Sequence, residues 1–172
     1  MNFIKNTILS SIAMMVCFAA IAQEEEAEEA PAPTFAVAGS IDTYFRSTQY
    51  APGSSFANLP GFAMGMANII MSYEGEKSGF VADLVFGPRG ADAVFNSPMI
   101  GTDTDPHFYR SSNIVNQLYA YYNVSDSFTL TMGNFNTFLG YEVISPVANF
   151  NYSTSYMFSY GPFSHAGIKA DI

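Results

Sequence analysis

Apolar and polar side chains alternate along residues 34–46, which is the clearest pattern in the chain. The odd positions form one mostly apolar face, which consists of Phe35, Val37, Gly39, Ile41, Thr43 and Phe45. The even positions form the opposite face and carry the charges of Asp42 and Arg46. A period of two is typical of a half-buried β-strand. About ten such residues, rising about 3.3 Å each and tilted by about 40°, span about 25 Å, the height of the apolar band of an outer-membrane barrel.

The same alternation predicts further strands at residues 80–87, 113–124 and 128–133. Their apolar faces consist of Phe80, Ala82, Leu84 and Phe86, then of Ile114, Leu118, Ala120, Tyr122 and Val124, and finally of Phe128, Leu130 and Met132. Each of these strands carries polar side chains on its other face. A strand that is apolar on one side only can lie in a membrane wall with its polar side turned inward.

Residues 62–73 change phase, because Phe62 and Met64 fall on one side of a strict two-residue repeat while Ile69 and Met71 fall on the other. A bulge near Ala67 and Asn68 would restore a single apolar face. A helix is the competing interpretation, and we prefer a strand. Residues 156–160 and 164–172 are predicted as a last pair, which gives six or seven strands in total.

Long and short connections alternate between these predicted strands. Residues 47–61, 88–112 and 134–155 form long connections, whereas residues 74–78 and 125–127 form short ones. This alternation is typical of an outer-membrane barrel, with short periplasmic turns and long outer loops. The pattern therefore predicts an all-β fold, an antiparallel transmembrane outer-membrane β-barrel. Closed single-chain barrels use even numbers of strands from about 8 upward, and an open edge is not viable in lipid. We therefore expect residues 34–172 to be the N-terminal part of a larger barrel, truncated before closure.

The segment before the barrel divides into two parts. Residues 1–22 have the layout of a secretory signal peptide, with Lys5 before an apolar stretch and small residues at Ala20 and Ala22. Residues 23–33 are an acidic, proline-containing stretch, predicted to be a solvated periplasmic tether. The single cysteine, Cys17, lies in the signal peptide, so no disulfide is expected after cleavage. Ten acids and five bases follow residue 33, which argues against nucleic acid as a partner.

Polar residues opposite the apolar faces are the candidates for lining a pore, and they are Asp42, Arg46, Asp83, Gln117, Thr129 and Thr131. For Asp42 and Asp83, pairing with a base on a neighbouring strand is an equally good interpretation. The long connection 134–155 is a candidate constriction with Glu142, Asn149 and Asn151, and an ordinary loop over the rim is the alternative.

Residues 133–170 resemble the OmpL-like β-barrel porin family of Bacteroidota. The resemblance lies in Gly-Asn-Phe at residues 133–135, Gly-Tyr-Glu at 140–142, Asn-Phe-Asn-Tyr-Ser at 149–153, Gly-Pro-Phe-Ser-His at 161–165 and Gly-Ile-Lys at 167–169. Residues 39–45 also look like the first strand of that family. The resemblance implies a porin-like barrel of more than about 12 strands. This chain departs from the family by ending early, which leaves strand number and pore width open.

These observations predict an outer-membrane porin for passive diffusion of small hydrophilic solutes, in contact with outer-membrane lipid. A non-conducting structural or adhesive barrel is the alternative, followed by a secreted soluble β-sandwich that binds carbohydrate. Asp103 and Asp105 beside His107 have spacing suited to calcium, but Asp-Pro is a common turn former, so no metal is expected. No enzyme motif, catalytic residue or cofactor site is expected. Assembly into a homo-oligomer stays open.

Overall fold

The computed structural model describes residues 32–94 and 114–172. These residues form one antiparallel sheet whose six strands follow one another in chain order, with β1 and β6 as its edges. The strands are β1 (Thr34–Arg46), β2 (Gly61–Glu74), β3 (Ser78–Phe86), β4 (Val115–Ser125), β5 (Phe128–Asn136) and β6 (Ser164–Asp171). The all-β prediction is confirmed. Within the described ranges, no helix has the length and apolar character needed to cross a membrane.

Two short α-helices and a 3₁₀ turn at Pro146–Ala148 lie in the described parts of the connections. Helix α1 (Pro88–Val94) opens the connection after β3, where Pro88 suits the first turn because a helix start needs no N–H there. Helix α2 (Tyr156–Ser159) occupies residues predicted as a strand, so that prediction is wrong. The physical reason is local capping, because the Ser155 hydroxyl accepts a hydrogen bond from the Phe158 amide and thereby starts a helical turn.

Strand β2 contains the expected bulge. Ile41 pairs with Ala67 and Thr43 pairs with Met64, so two residues of β2, Gly65 and Met66, lie opposite Asp42 alone. The strand interpretation of residues 62–73 is confirmed, with the bulge just before the predicted position. The extra residue changes the phase of the alternation, and both halves of β2 therefore present apolar side chains on the same side of the sheet.

A second irregularity lies between β3 and β4. Asp83 pairs with Gln117, whereas Leu84 pairs with Val115, so Asn116 is the additional residue. The placement of Ile114 on the apolar face of β4 is wrong, because this residue precedes the strand and the bulge changes the phase after it. The predicted alternation holds from Leu118 to Tyr122, and a third register shift follows between Asn123 and Ser125, around Val124.

The apolar face of the sheet is broad and exposed. Phe35, Val37, Ile41, Phe62, Ile69, Phe80, Leu118, Met132 and Ile168 are each at least 40% exposed. Soluble monomers rarely expose contiguous apolar patches beyond a few hundred Å². Aromatic pairs lie at both ends of this face, Phe45 with Phe62 at 4.7 Å and Tyr73 with Phe80 at 5.8 Å between ring centroids. A lipid-facing band bordered by aromatic rings has this arrangement.

The alternation of connections is also confirmed. Residues 75–77 and 126–127 form tight turns at one end of the sheet, where the Gly75 amide donates to the Ser78 carbonyl at 2.8 Å. The β1–β2 connection (residues 47–60), the β3–β4 connection (87–114) and the β5–β6 connection (137–163) leave from the other end. There they bury a small apolar cluster, which we call the loop core, made of Met66, Val85, Ala93, Val94, Ile144 and Phe158.

Candidate pore-lining face

The six predicted lining residues share the face opposite the exposed apolar one, as the strand register shows. Asp83 pairs with Gln117, Tyr121 with Thr131 and Asn123 with Thr129, and cross-strand partners lie on the same side of a sheet. Asp42 and Arg46 occupy the even positions of β1, the side on which Ser40 pairs with Asn68. We call this side the polar face. It also carries Tyr119, Phe135, His165 and Lys169.

Asp83 is the most deeply buried charge of the polar face, with 3% of its surface exposed. Its carboxylate accepts hydrogen bonds from Asn68 Nδ2 at 2.9 Å and from Asn116 Nδ2 at 2.6 Å. The partners are amides from the strands on either side rather than a base. Hydrogen bonds to an ionised acceptor are stronger than neutral ones and compensate for its burial. Asp83 therefore joins three strands and does not present its carboxylate to the space in front of the face, and Thr131, at 5% exposure, is covered as well.

Asp42 has a partner far away in the chain. The Tyr152 hydroxyl donates to Asp42 Oδ2 at 2.7 Å, which joins the β5–β6 connection to β1. Burial, followed by the hydrogen bond to Asp42, raises the pKa of Tyr152 well above its usual range, so its hydroxyl keeps its proton. Next to it, the Ser153 hydroxyl accepts from the Phe56 amide at 3.1 Å. The β5–β6 connection therefore crosses the polar face from β5 to β1.

Arg89 of α1 ties the connections together and was missed by the sequence reasoning. Its side chain is 6% exposed, and its guanidinium lies 4.2 Å from the ring centroid of Phe56 and 5.6 Å from that of Phe163. Burial lowers the pKa of Arg89 to about 10, and the nearby Asp92 carboxylate acts in the opposite direction. The side chain stays charged at neutral pH, so one cation holds rings from the β1–β2 and β5–β6 connections.

The predicted constriction residues lie within the β5–β6 connection. Both carboxylate oxygens of Glu142 accept hydrogen bonds from Ser155, one from its amide at 2.6 Å and one from its hydroxyl. The Asn149 side chain bonds to both backbone groups of Val143 and closes the turn between them. Asn151 is exposed. Glu142 is the single charge of residues 137–163.

The remaining lining candidates are half-buried and anchored. Gln117 Oε1 accepts from the Asn136 amide at 3.0 Å, Thr129 donates to Asn123 Oδ1 at 2.9 Å, and Arg46 donates to the Gln49 carbonyl at 3.4 Å. These bonds hold the polar side chains of the face in place.

His165 makes a structural hydrogen bond, because its Nε2 lies 3.0 Å from Thr137 Oγ1. This contact joins the start and the end of the β5–β6 connection.

Asp103, Asp105 and His107 lie outside the described residues, as do the predicted signal peptide and tether. Among residues 32–94 and 114–172, no three acidic, histidine or cysteine side chains converge on a common point.

An antiparallel sheet with an exposed apolar face, aromatic borders and a hydrogen-bonded polar face is the wall of a membrane β-barrel. Residues 34–172 match the model of the family described as "Putative beta-barrel porin-2, OmpL-like", and the chain belongs to this family. The match covers every described strand. Neither a curated protein nor a solved structure matches the chain.

Proposed function

We propose that the protein is an outer-membrane porin through which small hydrophilic solutes diffuse passively. Family membership supports a porin-type barrel, and such barrels conduct through a polar, hydrated interior. In this proposal the polar face lines the lumen, and the chain reaches the outer membrane after cleavage of residues 1–22.

The observation that carries this proposal is the path of the β5–β6 connection. It leaves β5, crosses the polar face and is held at β1 by the bond between Tyr152 and Asp42. A segment held there occupies part of the lumen cross-section at the end with the long loops. Solutes would then pass between this segment and the rest of the barrel, so the segment sets the size limit.

Planar-bilayer recording of the full-length protein tests the proposal. We expect stepwise increases in conductance as single channels insert, together with swelling of liposomes in small sugars but not in large dextrans. Cell fractionation should place the protein in the outer membrane with heat-modifiable gel mobility. Correctly inserted protein that gives neither conductance nor solute uptake would show that the barrel is not a porin.

A second candidate is a non-conducting structural or adhesive barrel. The observation in its favour is the loop core, because Met66, Val85 and Ile144 bury apolar surface at the end of the sheet with the long loops. A cluster that filled the whole lumen would close it. The conductance experiment separates the two candidates directly, since a closed barrel inserts without current.

A further inference from the structure

The β5–β6 connection contains two adjoining cavities that share one wall. Their volumes are about 240 Å³ and about 320 Å³. Tyr141, Glu142 and Met157 line both of them. Glu142, the single charge of the connection, therefore lines both cavities together with an aromatic ring and a thioether.

The smaller cavity is apolar and has a rigid floor. Phe158 lines it and belongs to the loop core, where its ring stacks on that of Phe163 at 5.2 Å between centroids. Helix α2, which carries Phe158, is capped by the Ser155 hydroxyl, and Ser155 in turn donates to Glu142. The carboxylate is therefore positioned before any ligand arrives, and a preorganised group loses little conformational entropy on binding.

The larger cavity combines an aromatic side chain with amides. Phe150 and Tyr141 both line it and are 87% and 74% exposed. Asn149 and Asn151 also line it. The Asn149 amide is bound to its own turn, whereas Asn151 is exposed. The cavity therefore offers open aromatic surface together with an amide that can both donate and accept.

We propose that the paired cavities are a binding site for a neutral oligosaccharide, one sugar ring per cavity. This inference rests on the proposed function, because a solute-binding site in the β5–β6 connection would lie on the diffusion path. Sugar rings have apolar C–H faces, which pack on the rings of Tyr141 and Phe150. Their hydroxyls donate to the free lone pairs of Glu142 and exchange hydrogen bonds with Asn151.

The charge and polarity of the site favour a neutral sugar over other ligands. An anion in either cavity would meet the Glu142 carboxylate in the lining, and like charges repel. A purely apolar ligand would remove the carboxylate from water without giving it a new partner, which is costly. An organic cation would suit Glu142 and the rings, but it would not use the N–H donors of Asn151. A polyhydroxylated ring satisfies all of these groups together.

Equilibrium binding to the full-length protein in detergent tests the inference, with maltotetraose and cellotetraose as neutral probes. We expect saturation-transfer NMR to show contact of the sugar C–H protons with the protein and titration calorimetry to give a dissociation constant. Tyr141→Ala should weaken binding by about tenfold, which corresponds to about 1.4 kcal/mol. The matched control is Tyr160→Ala, because Tyr160 is 88% exposed on the same connection and lines neither cavity.

Several outcomes would overturn the inference. They are no binding of either tetrasaccharide, equal weakening by Tyr141→Ala and Tyr160→Ala, or binding of choline in their place. Heat-modifiable gel mobility checks that each variant is folded. The readout does not depend on transport, so the two proposals fail separately. Conduction without saccharide binding refutes only the site, and binding without conduction refutes only the porin.

Discussion

The bond between Tyr152 and Asp42 provides the most direct test of how the β5–β6 connection is held. Tyr152→Phe removes the donating hydroxyl and keeps the ring, which contacts Phe56 at 5.8 Å and Tyr44 at 6.4 Å between centroids. The variant therefore changes one hydrogen bond and leaves the aromatic packing in place.

The free energy that Tyr152→Phe should remove follows from the chemistry of the hydrogen bond and from its exposure to solvent. A hydrogen bond to a charged group contributes about 1.5–3 kcal/mol to stability. Tyr152 is 40% exposed, so solvent screening reduces this to about 1 kcal/mol. A difference of about 1 kcal/mol changes the ratio of docked to released connection by about fivefold. We expect the global stability of the barrel to be unchanged, because the strand pairing is untouched.

Single-channel recording is the assay. A connection that is released from Asp42 leaves a wider path through the lumen, and it narrows that path again each time it returns. Tyr152→Phe should give noisier open-channel current and a higher mean conductance than Tyr160→Phe, the matched control on the same connection. Gly65→Ala should have a similar effect, because a Cβ at residue 65 would collide with Asp42 Oδ2 and lie 3.4 Å from the Tyr152 hydroxyl. If Tyr152→Phe and Tyr160→Phe give the same traces, the bond does not hold the connection in the lumen.

The pH dependence of this bond has a defined sign. The folded-state pKa of Tyr152 is raised, so the protonated hydroxyl is favoured in the docked state. The contribution is complete below the ordinary tyrosine pKa of about 10 and is lost as the pH rises beyond it. We therefore expect the Tyr152-dependent difference in current noise to persist between about pH 6 and 9. Its loss within that range would mean that another group controls docking.

Three further predictions concern the remaining charges. Asp83→Ala leaves the amides of Asn68 and Asn116 buried without an acceptor and should destabilise the barrel by about 3 kcal/mol, measured as a lower urea midpoint in detergent. Arg89→Met should change stability by less than about 1 kcal/mol, because an apolar side chain of similar volume often replaces a buried charge without loss, and a large decrease would show that the cation itself is required. Asp42→Asn should shift the reversal potential in a salt gradient toward anions while Asp83→Asn leaves it unchanged, and equal shifts would contradict the burial of Asp83.

The regular strands could be predicted from the sequence because the alternation of apolar and polar residues that indicates a strand lies within the strand itself. The alternation over residues 34–46 gave the limits of β1 without error, and the change of phase in residues 62–73 indicated the bulge of β2. Residues 156–160 were mistaken for a strand because a stretch of five residues without alternation does not distinguish a strand from a helical turn. The Ser155 cap starts the helical turn, and Phe158 of that turn packs in the loop core against distant parts of the chain.

The contacts of the polar face depend on register and on the course of the loops, which is why they could not be predicted. Asp83 receives its two amides from residues 15 and 33 positions away, and Asn116 reaches it only because β4 carries an extra residue. Asp42 and Tyr152 are 110 positions apart. For each of these acids, pairing with a base was one of two equal predictions, and lining a pore was the other. The observed partners are amides and a phenol. These groups are uncharged, so no charge pattern in the sequence could indicate the pairing.

The bulges of β2 and β4 show how one strand can serve both the exposed apolar face and the contacts of the polar face. β2 keeps side chains on the exposed apolar face along its whole length, yet Met66 belongs to the loop core with Val85 of the polar face. In a regular strand Met66 would lie on the same face as Met64, two positions before it. The extra residue at Gly65 and Met66 places Met66 on the polar face instead. The same device in β4 turns Asn116 toward Asp83 without moving Leu118 from the apolar face. These two bulges therefore lie where the wall makes contacts beyond strand pairing, toward the end from which the long connections leave, whereas the register shift between Asn123 and Ser125 adjoins a tight turn.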